Sequence, residues 1–361
     1  MGIRFEKDSR RATNGPLIFF SILKDETFAE EIRGAFISGL SFYAYRFPND
    51  NMMTFGSSES YIEGIGTPGF VIGMFNPELP FITIPYKASI PSSHPLALPS
   101  PFYTFPKHST SFEQYTGEVE TFIKKLKGQP DSKIVAARVL IKEASFDIAE
   151  HFYKFCEKFP DAFVFCFSTP ATGCWIGASP ELLLKGSGEY LSSMALAGTR
   201  KADTCTPWDT KNILEQKIVT DYIKEIFRVN GLNPEVNQTF TKVTGRIQHI
   251  CTPIYAKISE DTKLDFRSLL KSLYPTPALC GYPKDFAMRE ILKLENFDRG
   301  CYGGFCGPFR SIHDFHFNVV LRCASVTEKE ICIYAGGGIT ENSSVIAEWE
   351  ETNLKILNTF G

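Results

Sequence analysis

Lys133-Ile-Val-Ala-Ala-Arg-Val-Leu-Ile141, the segment Asp147 to Phe159, Ala162-Phe-Val-Phe-Cys-Phe167 and Gly173-Cys-Trp-Ile176 make up the stretch whose reading decides the fold. The first is an apolar strand that opens on a lysine. The second reads as a helix stopped by Pro160, and the last two read as strands paired with each other. Strands and helices thus follow one another in irregular order, with long antiparallel-type hairpins. That order argues for an α+β architecture rather than regular βαβ winding.

Working outward, the next segment towards the N-terminus is a helix that follows Ser111. Tyr115, Val119, Phe122, Ile123 and Leu126 fall on one apolar stripe, and Gly128 and Pro130 end it. Between residues 17 and 85, the apolar runs Leu17–Leu23, Ile37–Phe47, Gly69–Phe75 and Phe81–Ile84 alternate with turn residues. They predict antiparallel strands and hairpins with one helix near Phe28–Phe36. Residues 85–106 are rich in Pro and Ser and read as a loop, with His94 in water. On the C-terminal side, Glu181 lies between a turn and the apolar run Leu182–Leu184. Tyr190 to Arg200 is a strand with a small-residue exit. Thr210 to Val229 is a helix on which Glu215, Val219, Tyr222 and Ile226 share a stripe, so Glu215 sits at the edge of the buried face.

Composition narrows the function. Of 361 residues, 43% are hydrophobic and 22% charged, enough for a large core. A net charge of −3 gives no basic footprint, so nucleic acid is not expected as a partner. No apolar run is long enough to cross a membrane, and no export signal is apparent. The expectation is a cytoplasmic protein with no membrane partner, a monomer, whose ten scattered cysteines are reduced core residues. Phosphate-loop, dinucleotide-binding, His-Glu-x-x-His and Gly-x-Ser-x-Gly motifs are all missing from the sequence.

The chemistry-bearing residues gather towards the C-terminus. Tyr334-Ala-Gly-Gly-Gly-Ile339 precedes a helix begun by Asn342-Ser-Ser344, on which Glu348, Glu351 and Lys355 share a face. That face is either solvated or, with the glycines and Glu215, part of a site holding an anion and one Mg²⁺. Arg322 lies in an apolar run, Phe317 to Arg322, that suits a buried strand. It serves either a structural ion pair or a ligand carboxylate. Lys133 is a surface residue at a strand end or, if buried near other cations, a base. Glu181 is a turn carboxylate or, if desolvated, a general acid.

With these segments in hand, the chain resembles the chorismate-utilising enzymes, and within them the isochorismate synthases. The resemblance runs from about Tyr115 to the C-terminus. It rests on Lys133-Ile-Val-Ala-Ala-Arg138, Gly177-Ala-Ser-Pro-Glu-Leu182, Ala195-Leu-Ala-Gly-Thr199, Lys211-Asn-Ile-Leu-Glu215, Gln248-His249 and the C-terminal segments. Pro275-Thr-Pro-Ala-Leu-Cys-Gly-Tyr-Pro283 has the form typical of isochorismate synthases rather than of the amine-transferring relatives. Tyr274 departs from the His that many of them carry there.

The resemblance implies one large domain, residues 1–361, with two antiparallel sheets packed face to face, helices outside and the site between them. It implies Mg²⁺ as cofactor and chorismate as substrate, isomerised to isochorismate for menaquinone or siderophore synthesis. Salicylate synthase and a catalytically silent chorismate-binding protein are the alternatives. Lys133 matches the base that activates water, and Glu181 the acid that protonates the departing hydroxyl. Glu215 and Glu351 match metal ligands, with Glu348 bound through water. Arg322 and Tyr302 match the grip on the enolpyruvyl carboxylate, helped by backbone N–H groups around Gly336–Gly338. Gly198, Thr199 and His249 match positions lining the ring, and Tyr334 and Lys355 complete the expected binding set.

Overall fold

Apolar residues on consecutive positions, as in Phe163-Val-Phe-Cys-Phe167, demand a strand covered on both faces. In the computed structural model, which describes residues 18–21, 26–86, 101–129, 131–143, 146–245, 247–258 and 262–361, that demand is met by two stacked sheets with helices over them. The segment holding His94 lies outside the described residues, as do Pro130 and the ends of the run Leu17–Leu23.

The first part of the chain runs β1 (Ile18–Ser21), α1 (Glu26–Ile37), β2 (Ser41–Arg46), β3 (Met52–Ser58), β4 (Ile62–Glu63), β5 (Gly69–Gly73), β6 (Ile82–Pro85) and α2 (Phe112–Leu126). Next come β7 (Lys133–Glu143), α3 (Ile148–Lys158), β8 (Phe163–Thr169), β9 (Gly173–Ser179), β10 (Leu182–Ser187), β11 (Tyr190–Lys201) and α4 (Thr210–Val229). They are followed by β12 (Pro234–Val236), β13 (Phe240–Thr244), β14 (Ile247–Lys257), α5 (Phe266–Leu273), β15 (Gly281–Tyr282) and α6 (Lys284–Leu294). The chain closes with β16 (Phe305–Ser311), β17 (Asp314–Val319), β18 (Cys323–Val326), β19 (Glu330–Ile339) and α7 (Val345–Phe360).

One sheet has nine strands in the order β1-β3-β2-β8-β9-β18-β19-β7-β15. The other has ten, in the order β12-β14-β11-β10-β17-β16-β5-β6-β4, with β13 also paired to β14. The strand pair expected from Ala162–Ile176 is present as β8 and β9, antiparallel in the register Phe163↔Ser179 to Thr169↔Gly173. Alternation along β2 shows how the layers form. Tyr43 and Tyr45 enter the core between the sheets, while Phe42 and Ala44 face α1 and α3. The inter-sheet core joins Phe163, Phe165, Phe167 and Trp175 of one sheet to Phe70, Phe305 and Phe317 of the other. Aromatic pairs such as Tyr43 stacked on Phe70, with ring centres 5.0 Å apart, weld the layers. The stripe on α2 is buried as expected, against Ile134 and Ala136 of β7 and beside Trp349 of α7.

The run Ile37–Phe47 is not one strand. Helix α1 extends to Ile37, which is exposed, and Gly39, in the left-handed region at φ 66°, turns the chain before β2 begins at Ser41. The heptad-like burial of Phe28, Ile32 and Ala35 carries the helix further than the apolar run suggests. Among the described residues no helix is long and apolar enough to cross a membrane.

Candidate active site

Two neighbouring segments change sheets, and the site forms at that seam. After β9 the chain passes from the nine-stranded to the ten-stranded sheet, and Glu181 stands at the crossing. After β17 it passes back, and Arg322 stands at that crossing. Backbone bonds join the two crossings: Val319 N donates to Glu181 O at 3.1 Å, and Ala178 N donates to Arg322 O at 3.2 Å. The expectation that Arg322 lies within a strand is therefore corrected. β17 ends at Val319, and Arg322 adopts a left-handed φ of 47° to make the turn between sheets. A non-glycine residue held there carries strain of about 1 kcal/mol or more, which the surrounding contacts must hold.

Those contacts are specific. Arg322 Nη2 donates to His249 Nε2 at 2.7 Å, and His249 Nδ1 donates to Gly198 O at 2.7 Å. The partner of Arg322 is thus a neutral imidazole rather than a carboxylate. Burial and the adjacent guanidinium push His249 down to about 3, so it keeps a free lone pair for Arg322. Arg322 Nη1 is buried with no protein partner among the described residues. Burial pulls its guanidinium down to about 10, as expected of a cation lacking an anion. Gly198 has a φ of 70° where β11 slips register against β14. A Cβ there would sit 2.7 Å from Asn212 Oδ1, so the position requires glycine.

Lys133 opens β7 and is only 3% exposed. Burial drives its ammonium below the ordinary lysine range, against the pull of Glu215 and Glu181 and with the push of Lys355 and Lys211. Glu181 is 2% exposed and, mainly through burial, pushed up to about 8. Thr276 Oγ1 lies 3.5 Å from its Oε1. A lysine drifting towards neutrality and a carboxyl that keeps its proton share one cavity of about 280 Å³.

Beside Lys133, β19 carries Gly336–Gly338 against β7, beyond the last residue it pairs with β18, Ile333. That leaves one edge of the strand towards the cavity. Lys355 Nζ donates to Gly336 O and to Glu351 Oε1, both at 2.7 Å. A Cβ on Gly338 would meet Glu215 Oε1 at 3.4 Å. A Cβ on Gly337 would meet Glu348 Oε2 at 3.1 Å and Glu351 Oε1 at 3.9 Å. Three carboxylates from two helices therefore converge on the glycine pair. Burial raises Glu348 above the usual carboxylate range. Glu351 is held below it by Lys355 and Lys211, which outweigh its own burial. Tyr302 stacks on Tyr334 with ring centres 5.6 Å apart, and its hydroxyl lies 2.8 Å from where a Cβ on Gly336 would sit.

Lys133, Glu181, Gly198, Thr199, Glu215, His249, Tyr302, Arg322, Tyr334, Gly336, Gly338, Glu351 and Lys355 all line this cavity. Glu348 does not. It lies behind Gly337, where its Oε1 accepts from Lys211 Nζ at 3.2 Å and from Ser343 Oγ at 2.8 Å. Ser343 is thereby used on a carboxylate instead of on the helix cap. Glu348 Oε2 has no protein partner among the described residues.

The donor set suits a hard cation such as Mg²⁺: carboxylate oxygens, one of them buried and unmatched, around a backbone stripped of side chains. Among the described residues no three His, Cys, Asp or Glu side chains form a ready-made cage. Mg²⁺ does not require one, since it keeps several waters and takes one or two protein carboxylates.

Sequence reasoning missed Lys211, which lines the cavity and bonds Glu348, and Asn212 beside it. Lys211 was legible, because it lies one helical turn before Glu215 and shares its face. Thr276 and Lys242, the latter donating to Pro180 O at 2.6 Å, gave no such signal.

The geometry agrees with comparison to known proteins. Residues 89–359 match the family model described as chorismate binding enzyme. Isochorismate synthase EntC of Escherichia coli (strain K12) is 33% identical over 272 residues, which cover 70% of this chain and 67% of EntC. Isochorismate synthase MenF of Bacillus subtilis (strain 168) is 30% identical over 253 residues, covering 66% of this chain and 53% of MenF. Among solved structures, the menaquinone-specific isochorismate synthase MenF of Escherichia coli superposes with a TM-score of 0.74 at 19% identity, covering 97% of this chain and 96% of that one. Anthranilate synthase component I of Streptococcus pneumoniae TIGR4 gives 0.63 at 17%, covering 98% and 93%. These two structures show the shared fold, with two antiparallel sheets face to face. On the family match and the identity to EntC, the chain belongs to the chorismate-binding enzymes.

Proposed function

We propose that this protein is an isochorismate synthase, an isomerase that moves the ring hydroxyl of chorismate from C4 to C2. The observation that supports it is the pairing of Lys133, driven towards its neutral form, with Glu181, held protonated to about pH 8, on one cavity. Two groups whose environments move their pKa values towards neutrality from opposite sides are a base and an acid at pH 7.

Lys133 takes a proton from water as the water oxygen bonds to C2. The ring double bond shifts, the C4–O bond breaks, and Glu181 gives its proton to the departing hydroxyl, which leaves as water. The substrate's composition is unchanged, and the proton on Lys133 returns to Glu181 through solvent before the next turnover. Arg322, fixed by His249 and with Nη1 free, grips the enolpyruvyl carboxylate beside Tyr302. Glu215 and Glu351, with Glu348 behind Gly337, would hold Mg²⁺, whose charge would balance the ring carboxylate against the site's own anions. The expected monomeric state and cytoplasmic location belong to this reading.

The test is a mass-resolved chromatogram of purified protein with chorismate and Mg²⁺, without ammonia, beside an EDTA control. The expected product has unchanged mass and a new retention time, and it disappears with EDTA. Release of pyruvate with salicylate would instead assign a salicylate synthase, and untouched chorismate would refute the enzyme.

A further inference from the structure

Lys242 is a half-buried cation near the acid that does not line the cavity. It sits on β13 directly across the ladder from His249 on β14, so the two side chains project to the same face. Its Nζ donates to the carbonyl of Pro180 at 2.6 Å, and Pro180 immediately precedes Glu181. β13 thus reaches over the first sheet crossing and fastens it from outside the substrate space.

The charged and titratable groups facing Glu181 come from several elements. They are Lys242 on β13, Lys133 on β7, Arg322 at the second crossing, Tyr302 ahead of β16 and Cys251 on β14, and Asp161, ahead of β8, acts in turn on Lys242 and Arg322. Of the cations, Lys242 draws Glu181 towards its carboxylate form most strongly, ahead of Lys133 and Arg322. The other two have duties in the proposed reaction, Lys133 changing its charge in each turnover and Arg322 facing the substrate's anion. Lys242 has neither. Burial pulls its ammonium below the ordinary lysine range, against the pull of Cys251, Asp161 and Glu181, and its Nζ is committed to the Pro180 carbonyl rather than to the reacting groups.

We propose that Lys242 is a positioning residue for the acid, pinning the Pro180–Glu181 corner through the Pro180 carbonyl and placing its ammonium behind the carboxylate left when Glu181 gives up its proton. The proposal rests on the reading of Glu181 as the acid. The role needs a long cationic side chain on an edge strand, which is what a lysine on the short β13 provides.

The experiment compares the pH dependence of kcat and KM for the wild type with Lys242→Met, Lys242→Gln and Lys242→Arg, all in Mg²⁺. Met removes pin and charge, Gln removes the charge and keeps a donor, and Arg keeps both. In Met and Gln the alkaline limb of kcat/KM is expected to move upward by about half a pH unit or more, because Glu181 keeps its proton longer without the cation. In both, kcat falls about tenfold while KM stays within about twofold. Arg keeps the limb at the wild-type position. A limb that stays in place in both Met and Gln, or a rise in KM with kcat intact, overturns the proposal. The reading of Glu181 fails separately: turnover retained in Glu181→Gln removes the acid whatever Lys242 does.

Discussion

Glu181→Gln separates catalysis from stability in one side chain. The substitution keeps shape and removes the ionisable proton. With Glu181 as the acid, turnover drops by roughly 10²–10⁴-fold. The same variant is expected to be more stable than the wild type at neutral and alkaline pH. The Glu181 carboxyl is pushed from an ordinary 4.5 to about 8 by burial, so between those values the folded protein binds more protons at this site than the unfolded chain. Stability therefore falls as pH rises through that window, and it is unaffected by this group well below 4.5. At 1.36 kcal/mol per unit, the wild-type handicap at pH 7 is on the order of 3 kcal/mol. A neutral amide does not carry it. Thermal melts of both proteins should coincide near pH 4 and diverge towards pH 8, where Gln leads by roughly 3–8 °C. Parallel melts across that range, or a variant with more than a few per cent of wild-type turnover, would refute the reasoning.

His249→Leu removes the acceptor of Arg322 Nη2 and leaves a strained, buried guanidinium free to rotate. KM for chorismate should rise about tenfold or more with a smaller change in kcat, measured by steady-state kinetics. Gly336→Ala places a methyl 2.8 Å from both Ala136 O and Tyr302 Oη, within the most crowded part of β19. Overpacking there should cost about 1–3 kcal/mol in denaturant melts and most of the activity.

Much of the inner architecture was legible because burial on both faces leaves no room for polar residues. The unbroken Phe163–Phe167 run announces a central strand of the nine-stranded sheet, and Ile134–Ala137 announces a strand covered on both faces, which lies next to the edge strand β15. The edges and turns were less readable. β14 contains Pro253, which by itself speaks against a strand, and it is tolerated beside the short β12 and β13 that both pair along the same side. Residues Val320 to Arg322 read as more of β17 because apolar character continues through the sheet change, and only backbone φ marks the break. For the site, residue types and spacing gave alternatives, and what decides among them is desolvation. A lysine at a strand end is ordinary until the fold buries it, as it does Lys133 on the cavity beside Gly338. Lys242 could not be read at all, since its meaning lies in a carbonyl 62 positions away in sequence.

The twin crossings between sheets also have a mechanical consequence. Glu181 and Arg322 are spaced by main-chain bonds linking residues 178–181 to 319–322, so neither can shift without dragging the other. The carboxylates Glu215 and Glu351, by contrast, ride on α4 and α7, which lean on the sheets through side chains. The spacing of proton donor and anion grip is therefore written into the backbone, whereas the spacing of the acidic groups is set by how side chains of α4 and α7 pack.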